Sequence, residues 1–104
     1  MKVEVLYVAD CPNRQPTVEI VQEVLREQGL PPAITEIEIP DAAQAAALSF
    51  LGSPTVRVDG KDVEPSVNPF PPYGVSCRTY FVDGRFEGTP RREWIRNAVL
   101  TAKS

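Results

Sequence analysis

Two residues carry most of the chemistry this sequence offers, Cys11 and Cys77. Cys11 ends an apolar run, Val5-Leu6-Tyr7-Val8, and is followed by Pro12 and a helical pattern. A thiol is therefore expected at or near a helix N-terminus. Unpaired backbone N–H groups and the positive end of the helix dipole favour a thiolate there. The thiolate is both the nucleophile and the soft-metal ligand. Three residues on, where a dithiol redox motif has its second cysteine, stands Arg14. Its charge, one helical turn away, also favours the thiolate, whereas Asp10 opposes it. The plain alternatives are a small buried hydrophobe at Cys11 and a surface side chain without a role at Arg14.

Histidine is absent, which excludes Ser-His-Asp and Cys-His arrangements and His-liganded zinc. Two cysteines cannot build a four-cysteine zinc site within one chain. The net charge of −3 argues against a nucleic-acid partner, which would need a basic footprint. Arg91, Arg92 and Arg96 cluster locally and read as a solvated helix face. No cofactor is implied. No run approaches the roughly 20 apolar residues of a membrane span. The start of the chain reads as a strand and not as a signal peptide. The expected location is cytoplasmic, where thiols stay reduced.

The elements that must position these residues follow from periodicity. The 104 residues suffice for one domain, residues 1–104. Lys2 to Val8 predicts a central strand, apolar on both faces. A helix is expected from Pro16 or Thr17 to Gln28, because Pro16 disturbs an earlier start and Gly29 is a stop. Ala33 to Ile39 predicts a second strand, with Glu36 and Glu38 exposed. Asp41 and Gln44 form a capping box for a second helix, running to about Leu51 and ended by Gly52. Thr55 to Asp59 predicts a third strand closing in an Asp59-Gly60 turn. Residues 64–74 hold Pro65, Pro69, Pro71 and Pro72 and suit neither a helix nor a central strand. A loop of this length is often functional. Glu64 is read as an exposed loop residue. Val75 to Val82 predicts a fourth strand before an Asp83-Gly84 turn. Thr89-Pro90 then opens a last helix as N-cap and first residue, with Trp94, Ile95, Ala98 and Val99 facing inward.

This order, βαβαββα, with Cys11-Pro12 after the first strand and Ser53-Pro54-Thr55 before the third, resembles the thioredoxin superfamily over nearly the whole chain. The resemblance implies an α/β fold: a four-stranded mixed sheet with helices on both faces. It also implies a cis Ser53–Pro54 bond beside an attacking Cys11. Pro12, Ser53, Pro54 and Thr55 would then shape the substrate groove. Arg14 in place of the resolving cysteine marks a departure from the dithiol members. In this layout Cys77 reads by default as a buried, inert thiol, remote from Cys11. A second, shorter resemblance runs through Gly74-Val75-Ser76-Cys77-Arg78-Thr79-Tyr80-Phe81, which is similar to the segment around the second cysteine of alkylmercury (organomercurial) lyases. Those enzymes have an aspartate for the proton where this chain has Arg14.

The expected function is thiol–disulfide exchange through one cysteine, Cys11, as a monothiol oxidoreductase. Its partner would be a disulfide, a small thiol or an extended peptide paired to the Ser53-Pro54 backbone. One alternative is soft-metal or organomercurial handling by Cys11 and Cys77 together. This requires the proline-rich stretch to bring Cys77 to Cys11, within the ~7 Å Cα separation of a disulfide or around Hg(II) or Cu(I). Another is a non-catalytic interaction module of the same fold.

Overall fold

The computed structural model describes residues 1–65, 67–68 and 72–103. Pro69, Phe70 and Pro71 of the proline-rich stretch lie outside the described residues, with Ser66 and Ser104.

Strand β1 (Val3–Tyr7) is central, as its two apolar faces require. It pairs in parallel with β2 (Thr35–Glu38) and antiparallel with β3 (Thr55–Val58). Val5 faces one layer, built from helices α1 (Arg14–Glu27) and α3 (Arg92–Lys103). Leu6 faces the other, with Ile39, Phe50 and Ala45 of the short helix α2 (Ala42–Ala47). Helices thus cover both faces of a mixed sheet. Side chains such as Val5, Val21, Val56 and Ile95 are fully buried. Each contributes roughly 1.5–3 kcal/mol relative to exposure. Among the described residues, no helix is long and apolar enough to cross a membrane.

Helix α1 starts earlier than the sequence suggests. Pro16 falls in its first turn, where an N–H would lack an intrahelical partner anyway. Its end is a Schellman turn: Gly29, at φ 68°, donates to Arg26, and Leu30 donates to Leu25. The same device shortens α2. Ser49, at φ 53°, donates to Ala46, and Phe50 donates to Ala45. The helix stops at Ala47 and not near Leu51, because this turn swings Phe50 into the core. Asp41 caps α2 as expected, accepting from the Gln44 amide at 2.8 Å.

The fourth strand is not the one expected. Asp59 and Gly60 both have positive φ, 50° and 82°, as a two-residue hairpin turn demands. The chain therefore turns straight back into β4 (Lys61–Asp62), which takes the free edge of β3. The sheet order is β2-β1-β3-β4. With that edge occupied, residues 75–82 cannot join the sheet there as one strand. Instead β5 (Tyr80–Val82) and β6 (Arg85–Glu87) form a separate hairpin across Asp83-Gly84. The order is thus βαβαββββα. Helix α3 begins at Arg92 and not at Pro90 after a Thr89 cap, and Trp94 in its first turn donates to the Arg91 carbonyl.

A candidate thiol site at the end of the central strand

Past Tyr7 the chain turns sharply. The Cys11 amide donates to the Val8 carbonyl at 3.3 Å, and Asp10 adopts φ 64°. A positive φ at the third residue is what a type II turn requires, and aspartate tolerates it. Cys11 is half-buried, Pro12 is exposed, and Asn13 is the N-cap. Cys11 therefore precedes the cap and is not a helical residue. Asn13 makes no side-chain cap bond, its backbone being near-helical (φ −96°, ψ 0°), and its amide packs against Gly88, where any Cβ would overlap it. That contact holds the segment after β6 against the start of α1.

Arg14 makes contacts with Glu36 and Tyr7. Its Nε donates to Glu36 Oε1 at 2.9 Å, and its guanidinium lies 3.8 Å from the centroid of the Tyr7 ring. It thus bridges Tyr7, the last residue of β1, and Glu36 within β2.

The Ser53–Pro54 bond is cis. Ser53 is fully buried and joins three segments. Its Oγ accepts from the Val8 amide at 3.0 Å. Its own amide donates to the Ser76 carbonyl at 2.8 Å, and its carbonyl accepts from the Arg78 amide at 2.8 Å. Ser53 and Cys77 are thereby partners in an isolated parallel bridge. Two expectations change. The Ser53 backbone is already paired within the chain, and Pro54 and Thr55 are buried beside it, so an extended peptide cannot pair there while this segment stays in place. Cys77 is not a buried thiol remote from the Cys11 turn: it is exposed, and its backbone is held at Ser53. Ser53 presents its hydroxyl to Val8, the first residue of the turn that ends in Cys11.

The residue that fastens this segment is Arg78, which periodicity alone did not single out. It is 7% exposed. Its Nη1 donates to Asp62 Oδ2 at 2.6 Å and to Thr55 Oγ1 at 3.0 Å. Its Nη2 donates to Asp62 Oδ1 at 3.2 Å and to Glu64 Oε1 at 2.8 Å. Glu64 is thus a half-buried ion-pair partner, not a free loop carboxylate. Burial disfavours the Arg78 charge. The bonds to Asp62 and Glu64, with the field of Asp62, more than offset this and hold its pKa above the ordinary value. Tyr80, stacked 4.4 Å under the guanidinium, donates its hydroxyl to the Pro54 carbonyl at 2.6 Å. Burial pushes its pKa up, against the pull of Arg78. Asp62 and Glu64 share one side of their segment, as Arg78 and Tyr80 share one side of theirs, but that alternation alone does not pair the two segments.

Both cysteines are free thiols. Among the described residues, no group of three or more histidine, cysteine or carboxylate side chains could hold a metal ion. Each thiol can exchange with a disulfide, and two thiolates that meet suit a disulfide or a two-coordinate soft ion. The chain matches no family model, no curated protein and no solved structure in comparisons with each.

Proposed function

We propose that this is a thioredoxin-like thiol protein in which Cys11 and Cys77 together capture a soft metal ion of the Hg(II) or Cu(I) type. The observation that carries the reading is the Ser53–Cys77 bridge, which puts an exposed second thiol on the segment tied to the Cys11 turn. Thiolates select soft ions, and two of them suit a linear, two-coordinate one. The fold part of the reading is supported by the strand order and directions, with β3 antiparallel to β1 and β4. The sequence similarity around Cys77 to alkylmercury lyases fits capture. Carbon–mercury cleavage is not part of the proposal, because Arg14 stands where a proton-delivering carboxylate would be and is engaged with Glu36. A cytoplasmic location would keep both thiols reduced and ready.

One-cysteine exchange at Cys11, the first expectation from the sequence, is less well supported, because the backbone groups meant for its peptide substrate are occupied. The test is titration of Hg(II) and Cu(I), against a competing small thiol, into the parent, Cys11→Ser and Cys77→Ser, with disulfide-exchange rates on the same proteins. Each variant should fold and lose most of the metal affinity. Parent-like affinity in Cys77→Ser, with exchange at Cys11 intact, would overturn the two-thiol reading and restore exchange. Thiols that react only after unfolding would leave the interaction module.

A further inference from the structure

We infer that Arg78 is the positioning residue for the Cys77 thiol, an assignment that rests on the two-thiol reading. Cys77 sits in a stretch, residues 75–79, with no secondary structure beyond one bridge. It is exposed, so packing does little to hold it. What holds it lies on either side. The Ser76 carbonyl and the Arg78 amide bracket Ser53, and the Arg78 side chain is bolted down by Asp62, Glu64 and Thr55. The bidentate fork to Asp62 sets the guanidinium in direction as well as distance, which a lysine cannot do.

Two further contacts show that this seat is shaped for Arg78. Gly52 adopts φ +129°, and a Cβ there would stand 2.8 Å from the Arg78 Cβ. The Tyr80 ring forms the floor and is itself hydrogen-bonded to Pro54. Arg78 thus joins the hairpin β3–β4, the Ser53-Pro54-Thr55 segment and the cysteine next to it in sequence. Holding Cys77 in one place lowers the entropy lost when two sulfurs meet one ion. Arg78 acts through the backbone of Cys77 and touches no substrate.

The readout is the effective concentration of Cys77 at Cys11, measured by equilibrating the protein with glutathione buffers. In that reaction the two protein thiols give two electrons and two protons to glutathione disulfide, which leaves as two glutathione thiols. Parent, Arg78→Lys and Asp62→Asn are compared well below their melting temperatures, with folding checked by circular dichroism. Arg78→Lys keeps the charge and loses the fork. Asp62→Asn keeps Arg78 and its bonds to Glu64 and Thr55, and carries the test if Arg78→Lys does not fold. Both should lower the effective concentration by roughly tenfold or more, the scale of one lost hydrogen bond to a charged group. The rate of Cys77 alkylation in a Cys11→Ser background should not fall. A merely structural Arg78 would lower the melting temperature and leave the effective concentration unchanged, which overturns this inference alone. A parent whose thiols show no mutual pairing overturns it together with the two-thiol reading.

Discussion

The phenol of Tyr80 donates a 2.6 Å hydrogen bond to the carbonyl oxygen of Pro54, and both residues are buried. The bond ties the start of β5 to the segment that enters β3. Tyr80→Phe keeps the ring under Arg78 and removes the donor, leaving a buried carbonyl without this partner. The expected cost is about 1–3 kcal/mol. It should appear as a lower urea midpoint with an unchanged slope. A midpoint equal to that of the parent would show that the carbonyl is satisfied without the phenol.

The same residue sets a limit in alkali. Burial penalises the phenolate; Arg78 opposes this, and Asp62 and Glu64 reinforce it, so the folded protein holds the Tyr80 proton more tightly than the unfolded chain does. That contribution is complete below the unfolded tyrosine value of about 10. It is lost as pH rises through the higher folded value, because the unfolded chain then releases the proton first. Stability of the parent should therefore fall above about pH 10 more steeply than that of Tyr80→Phe. Parallel profiles for the two proteins would remove Tyr80 as the cause.

Gly52 and Gly60 separate two costs that glycine substitutions usually mix. Both have positive φ, +129° and +82°, but only Gly52 faces a neighbour, with the Arg78 Cβ at 2.8 Å and its Cα at 3.2 Å from an added methyl. Gly60 has nothing within 4 Å. Gly60→Ala should cost the backbone term, about 1 kcal/mol. Gly52→Ala should cost at least about 2 kcal/mol more, since a packed backbone must move. Thermal melts of the two variants give the comparison, and equal losses would mean that the Arg78 segment yields easily.

Periodicity made the core legible and left the far end of the chain obscure. Val18, Val21, Val24 and Leu25 repeat at helical spacing, and all four are buried on α1. The apolar faces of β1 required layers on both sides, and both are present. Two departures from the pattern arise next to tight turns. Ser49 in a left-handed conformation cut α2 short, and nothing in a serine announces that. The Asp59-Gly60 turn is legible in the sequence, yet the two residues after it, Lys61-Asp62, are too few and too polar to read as a strand. Taking that edge, they sent Val75 to Val82 elsewhere. The site was legible in part for the same reason. Cys11 and Ser53-Pro54 stand at element ends that local pattern reveals. The partnership of Ser53 with Cys77, and of Arg78 with Asp62, joins distant segments and has no local signature.

Ser53 joins the Cys77 segment to the turn that carries Cys11 through one hydroxyl, and that gives a direct test of the proposed pairing of the two thiols. Ser53 Oγ accepts from the Val8 amide at 3.0 Å, whereas the bonds of Ser53 to Ser76 and Arg78 use its backbone. Ser53→Ala should therefore spare the seat of Cys77 and loosen the turn that carries Cys11. The stability cost should be about 1 kcal/mol. Hg(II) affinity should fall, while alkylation of Cys77 keeps its rate. Arg14→Ala is the control, because its pair with Glu36 is partly exposed and is worth less than about 1 kcal/mol. It should leave Hg(II) affinity within a few-fold of the parent. If Arg14→Ala weakens capture more than Ser53→Ala does, the two thiols are not coupled through Ser53, and the charge at Arg14 acts on Cys11 after all.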